Sequence, residues 1–383
     1  MKIVFFAARQ LHQEYFDKVR QQLNSNSVDA EVLWHKDLWK TLSGFLSLVG
    51  FKPPISAKDL TSIVADHIRE KQNSRKGRER SAAYWRLFSI IKRIESRILF
   101  SIYRQALARS NASSLVIWNG LKYRQLIAIS AAESLDIQII YMENGLLPGM
   151  TTMDAQGINY RNSVPRDFDA FEQLAPIDLT PLNTALKEQF TEHPTDLPEH
   201  YIFVPFQVNT DSQVVLFSHW IKDMFDLVKQ FDIAAAELGN KMPNIVFKPH
   251  PACDQKYDEL ITSYQDHSKL HFDTQTATPV LIQHADAVAT INSTVGIESL
   301  LLDKKLIVMG QAFYSYPSLS LIADSPQALK QALLEVPAWQ PNRQHIQQLF
   351  HYLSRHYQLP GRWQEAQPDH IEACGKRLME LAK

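Results

Sequence analysis

The sequence predicts an α/β fold of two lobes, each built around a parallel sheet, with a cleft between them. Three observations carry this. The chain has 383 residues, more than one hydrophobic core usually organises, so two domains of roughly 150 to 200 residues each are expected. Short β-rich apolar runs alternate with helical stretches through both halves. Polar residues recur where those runs end, and in open parallel sheets that edge is where loops and helix N-termini converge on ligands.

In chain order, Lys2 to Ala7 reads as the first strand. A helix follows from about Leu11 to Leu23, then a strand at Val28 to Trp34, which opens a βαβ pattern. Ser114 to Trp118 is a further strand leading into Asn119-Gly120 and a helix, and Gln138 to Met142 runs into Glu143-Asn144-Gly145. Between the strands at Val28 to Trp34 and Ser114 to Trp118 lies His67 to Arg109, with about twelve Lys/Arg against about three Asp/Glu and with Leu87, Ile91, Ile94, Ile98 and Ile102 at helical spacing. This is a basic amphipathic helix. Either its apolar face enters the core and its charges are solvated, or it meets anionic lipid or a charged acceptor.

A stretch carrying Pro176, Pro181, Pro194 and Pro198 reads as the connection between lobes. A second alternating set follows it. Strands are expected at Tyr201 to Val208, Asn244 to Lys248, Lys269 to Phe272, Ala287 to Ile291 and Lys305 to Met309. Helices are expected at Val214 to Leu238, Asp254 to Tyr264 and Gly296 to Leu302, and two more, Asn342 to Tyr357 and Asp369 to Ala382, close the chain. The expected domains are an N-terminal lobe over 1–175, a linker over 176–199, a C-terminal lobe over 200–340, and helices over 341–383 that pack back on the first lobe.

Composition narrows the function. With 45% hydrophobic and 21% charged residues the chain is an ordinary globular one, and a formal charge of -1 gives no global drive toward nucleic acid. Cys253 and Cys374 are too far apart in sequence for a metal-ligand pair or a disulfide framework, which fits a reducing compartment. The opening MKIVFFAARQ reads as a strand rather than a signal peptide, and no apolar run approaches a membrane span. A cytoplasmic location is the resulting expectation, peripheral at the inner membrane if the basic helix meets anionic lipid.

Four clusters could carry chemistry. Glu143 sits at a strand end before Asn-Gly, where it either braces the turn or serves as an acid/base group. Gln207, Asn209, Asp211 and Gln213 form a polar run after an apolar strand. Asp211 and Ser212 could cap the following helix, while the run as a whole suits the reading of sugar hydroxyls. Lys248 and His250, set in Lys-Pro-His-Pro, suit the neutralisation of a phosphate. Asn-Ser-Thr-Val-Gly-Ile-Glu, ending at Glu298, offers hydroxyls and free amides to an anion, and Glu298 could accept from ribose hydroxyls or simply be a first-turn acid.

These motifs, in this order and from about Trp118 to Tyr314, resemble the capsule polysaccharide biosynthesis family, whose characterised members are retaining β-Kdo transferases. The resemblance implies two Rossmann-like lobes of the GT-B glycosyltransferase type and transfer of Kdo from CMP-Kdo to a glycan or glycolipid. It places Asp211 as nucleophile on the anomeric carbon and Glu143 as the second carboxylate. Lys248, His250, Ser293, Thr294 and Glu298 fall on the nucleotide side, and Asn144, Gly145, Arg166, Gln207, Ser212 and Gln213 on the sugar side. No metal or other cofactor is expected, because there is no Asp-x-Asp pair and the histidines are scattered. Met150 departs from the threonine common after Pro-Gly in such relatives. Two other readings remain open: a transferase for another CMP-activated 2-keto sugar acid, and a non-catalytic glycolipid-binding scaffold.

Overall fold

The computed structural model describes residues 1–38, 57–187, 192–194 and 196–382. Twelve strands are present among them. They are β1 (Lys2–Ala7), β2 (Asp29–Trp34), β3 (Ser114–Trp118), β4 (Gln138–Asn144), β5 (Met150–Asp154) and β6 (Ile202–Pro205). After these come β7 (Ile245–Lys248), β8 (Leu270–Phe272), β9 (Ala287–Thr290), β10 (Lys305–Val308), β11 (Leu321–Ile322) and β12 (Gln358–Pro360). They form two six-stranded sheets, and the chain divides into two compact α/β units, each Rossmann-like.

The first unit comprises Met1–Arg69, Arg80–Ser163 and Tyr357–Lys383. Its sheet runs β12-β5-β4-β3-β1-β2, parallel from β4 to β2, with β5 antiparallel to both neighbours. Alternation along β1 sends Val4 and Phe6 into one core and Ile3, Phe5 and Ala7 into another, so helices cover both faces as a parallel sheet requires. Helix Pro368–Leu381 lies in the second of these cores beside helix Gln10–Ser25, where the Tyr15 hydroxyl meets His370 Nε2 at 2.9 Å and Cys374 Sγ at 3.1 Å. Burial pushes the Cys374 thiol up to about 12, so it is an inert packing residue.

The second unit comprises Glu70–Glu79 and Val164–His356. Its sheet is entirely parallel, in the order β8-β7-β6-β9-β10-β11. Counted from β6 this is the doubly wound order 3-2-1-4-5-6, which reverses direction between β6 and β9.

Several expectations shift. The division falls after Ser163 rather than in 176–199, and residues 188–191 and 195 of that expected linker lie outside the described residues, as does Lys383. Of the closing helices, Arg343–Tyr352 belongs to the second unit and only the chain from Tyr357 to the first. The expected helix Val214 to Leu238 is two helices, Ser212–Phe217 and Met224–Leu238, because Asp223 accepts from the Phe225 and Asp226 amides at 2.9 Å and starts a new one. The basic segment is likewise broken. Ala57–Gln72 and Ala82–Ser110 are separate helices, and the intervening Asn73, Ser74 and Arg78 belong to the second unit. There Arg78 pairs with Asp223 at 2.6 Å, and Asn73 donates to the Asn209 carbonyl at 3.3 Å.

Candidate functional site

In the second unit β6 ends at Pro205, and the chain passes Gln207, Asn209 and Asp211 into helix Ser212–Phe217. Its neighbour β9 ends at Thr290 and passes Asn292 and Ser293 into helix Val295–Leu301. Both segments therefore leave from the point where the sheet reverses, the position at which open α/β sheets bind ligands.

Gln207 and Asn292 tie the two segments together. Gln207 Nε2 donates to Asn292 Oδ1 at 3.0 Å, the Asn292 amide donates to Gln207 Oε1 at 3.2 Å, and Asn292 Nδ2 donates to the Gln213 carbonyl at 3.0 Å. Both side chains are buried, so the Gln207 amide holds the scaffold at both ends rather than being presented to a sugar. Asn209 has a similar task. Fully buried, it donates to the Tyr257 hydroxyl at 3.2 Å and accepts from the Met224 amide at 3.0 Å, anchoring the next helix start.

Asp211 is half-buried and caps helix Ser212–Phe217, its Oδ1 accepting from the Gln213 amide at 2.9 Å. The capping alternative is thus realised for this residue. Capping occupies one oxygen, and among the described residues Oδ2 has no hydrogen bond, so the carboxylate is oriented while half of it stays available. Ser212 is buried in the first turn.

On the adjoining strand, Lys248 ends β7 and faces Asp273 Oδ1 at 3.7 Å, both side chains being mostly enclosed. Asp273 follows β8 and is fixed by the Thr276 hydroxyl at 2.7 Å and the Thr276 amide at 2.8 Å. Lys248 is therefore a cation with a carboxylate companion. His250 is exposed, and its Nδ1 accepts from the Ala252 amide at 3.1 Å, which leaves Nε2 as the N–H of the neutral ring. Desolvation draws its pKa below the usual imidazole value, and the nearby Asp211 carboxylate acts in the opposite direction.

Ser293 uses its hydroxyl on the Val295 amide at 3.2 Å, while its carbonyl accepts from Tyr314. Tyr314 packs so closely on the first turn that a Cβ on Gly296 would stand 2.6 Å from its hydroxyl, which explains the glycine. Thr294 is exposed and makes no capping bond. Glu298 is half-buried, and desolvation alone raises its carboxyl above the ordinary range. No side-chain hydrogen bond or ion pair engages it among the described residues.

In the first unit, Glu143 accepts from Asn119 Nδ2 at 2.6 Å through Oε2 and from the Asn144 amide at 2.8 Å through Oε1. Asn144 Oδ1 accepts from the Trp363 indole at 2.7 Å. Gly145 lies where any side chain would collide with the Met150 carbonyl, so it is required by the β4–β5 hairpin and offers a ligand only its backbone. Asp154, beyond the hairpin, is a buried structural acceptor for the Ser163 hydroxyl at 2.9 Å and the Tyr357 hydroxyl at 2.9 Å. Arg166 opens the second unit, exposed, with its guanidinium donating to the Val164 carbonyl.

The second unit therefore gathers Asp211, Ser212, Gln213, Lys248, His250, Ser293, Thr294 and Glu298 on one sheet edge, while Glu143, Asn144 and Gly145 stand on the first. Asn292 lies inside a motif the sequence marks but was given no role of its own, and two contributors were not singled out: Asp273, which carries the same polar-after-strand signal, and Tyr314, which nothing local marks.

A doubly wound parallel sheet carries carboxylate, imidazole and ammonium groups along the C-terminal edge that includes its reversal point, the place where open α/β sheets bind ligands. The profile of the family described as capsule polysaccharide biosynthesis protein matches residues 187–361. FixF of Sinorhizobium fredii is 34% identical over 294 residues, covering 74% of this chain and 69% of that protein. The capsule polysaccharide export protein KpsS of Escherichia coli is 31% identical over 131 residues, 33% of each chain. Among solved structures, KpsC β-Kdo 2,7 transferase of Thermosulfurimonas dismutans aligns with TM-score 0.46 at 18% identity, over 73% of this chain and 89% of that one. The chain belongs to the capsule polysaccharide biosynthesis family.

Proposed function

We propose that the protein is a glycosyltransferase that moves Kdo from CMP-Kdo to a glycan or glycolipid acceptor, with retention, in capsule or lipopolysaccharide O-antigen synthesis. One observation carries the reading. Asp211 has one oxygen fixed by a backbone amide and the other without a hydrogen bond, within electrostatic reach of His250 on the same sheet edge. Family membership and the order of the motifs support it.

In this reading Asp211 Oδ2 bonds to the anomeric carbon as the bond from that carbon to the phosphate oxygen breaks, and the electron pair leaves with CMP. The His250 Nε2–H and the Lys248 ammonium offset the charge that develops on the phosphate. Glu298, without a side-chain partner, accepts from ribose hydroxyls. The acceptor hydroxyl then attacks the same carbon, expels Asp211 and passes its proton to a base. Two inversions give net retention.

The scaffold reading is favoured by the structural tasks these groups already have, Asp211 capping a helix through one oxygen and Lys248 pairing with Asp273. Measuring CMP release from CMP-Kdo and from CMP-sialic acid, by wild type and by Asp211→Asn, separates the readings. Release from CMP-Kdo by wild type alone supports the transferase. Preference for CMP-sialic acid would move the donor to another 2-keto acid, and no release from either would leave the scaffold.

A further inference from the structure

We infer that the outer face of helix Ala82–Ser110 docks on an anionic membrane surface. The helix has apolar residues on two sides. In its C-terminal half Leu99, Tyr103 and Leu107 are buried in the core of the first unit. In its N-terminal half Leu87, Ile90, Ile91 and Ile94 are 60%, 57%, 50% and 56% exposed. Of the two readings of this segment, burial of the apolar face would place Leu87, Ile91 and Ile94 in that core, and their exposure sets that reading aside for this half of the helix. Their spacing of i, i+3, i+4 and i+7 makes one continuous stripe roughly 100° wide. It lies opposite Tyr103 and Leu107 on the helix; further along its own side Ile98 and Ile102 pack against the core, so only the N-terminal half of the stripe is left in solvent.

Charge decides what covers the stripe. Arg86, Arg93 and Arg97 are exposed and recur along one border of it, and among the described residues none of the three makes an ion pair. The acid on the other border, Glu95, is neutralised by Lys92. A stripe of long aliphatic side chains edged by unpaired guanidiniums matches a bilayer interface, where the apolar face enters the acyl boundary and the cations meet lipid phosphates. A surface of this kind is not explained by solubility, since single exposed apolar residues are common but a continuous stripe is not. The inference stands on this helix alone and does not depend on the transfer reaction.

The test is flotation of the full chain with vesicles of phosphatidylcholine, with and without phosphatidylserine. Wild type is expected to float only with the anionic vesicles and to be released by salt. Arg86→Glu/Arg93→Glu/Arg97→Glu should lower partitioning at least about 100-fold, each cation near the surface being worth about fivefold. Leu87→Gln/Ile91→Gln/Ile94→Gln should abolish flotation while leaving the circular dichroism and the melting curve unchanged, because all three side chains are already in solvent. Failure of wild type to float, equal flotation with neutral vesicles, or retained flotation by the glutamine variant would overturn the inference. So would a concentration-dependent dimer that the glutamine variant abolishes without any vesicle binding, which would give the face to a second copy of the chain.

Discussion

Replacing Asn292 with alanine is expected to loosen the reversal point of the second sheet. The change removes the acceptor of the Gln207 Nε2 bond at 3.0 Å and the donor to the Gln213 carbonyl at 3.0 Å, while the backbone bond to Gln207 Oε1 survives. Gln207 is 5% exposed and Asn292 2%, so water does not readily take the vacated place. Two neutral bonds at about 1 kcal/mol each, with about 1 to 2 kcal/mol for the stranded Nε2 group, give a loss of about 3 to 4 kcal/mol. Equilibrium urea unfolding of Asn292→Ala, Gln207→Ala and the double variant forms a cycle that isolates the pair. A coupling of at least about 1 kcal/mol is expected, because the residues share their bonds. Single losses that add to within about 0.5 kcal/mol, the behaviour of independent sites, would refute the claim that these two side chains hold the edge together.

Three further outcomes follow from the same edge and from the hairpin of the first unit. Lys248→Met should weaken CMP binding about tenfold in calorimetry, as loss of one charge-assisted contact does, and unchanged affinity would remove Lys248 from the nucleotide side. Glu298→Gln should stabilise the protein at neutral pH. The folded carboxyl is raised above its ordinary value of 4.5, so its ionisation costs stability as pH climbs from that value, and the advantage of the variant should vanish below it. Thermal melts showing the same difference at pH 4 and pH 8 would contradict this. Gly145→Ala should cost roughly 1 to 3 kcal/mol through its collision with the Met150 carbonyl, and a melt equal to wild type would show that the hairpin yields.

Local pattern revealed the strands whose neighbours in space are other apolar strands. β1, β3, β4, β6, β7 and β9 are each short, buried and bounded by polar residues, and all were legible. β5 was not, because its buried Thr152 looks like loop until its partner is known, and that partner, the Gln358 side chain of β12, lies over 200 residues away in sequence. The edge residues were legible as a group because parallel strands end in polar segments, but their individual tasks were not. Gln207 and Asn209 read like ligand contacts and are braces, since a buried amide and a sugar-binding amide have the same sequence signal. Helical periodicity likewise grouped Leu87, Ile91, Ile94, Ile98 and Ile102 on one face. It could not say that the first three are turned to solvent while Ile98 and Ile102 pack against the core.

The central claim is that Asp211 forms a bond to Kdo. Intact-protein mass spectrometry of the wild-type chain, mixed with CMP-Kdo in the absence of acceptor, tests it most directly. The account predicts a gain in mass of one Kdo residue, mapped by proteolysis to the peptide containing Asp211, absent in Asp211→Asn and discharged when acceptor is added. Because asparagine also caps helices, the variant should keep its fold. CMP release without any adduct, or an adduct that persists in Asp211→Asn, would contradict the account and leave Asp211 as a helix cap alone.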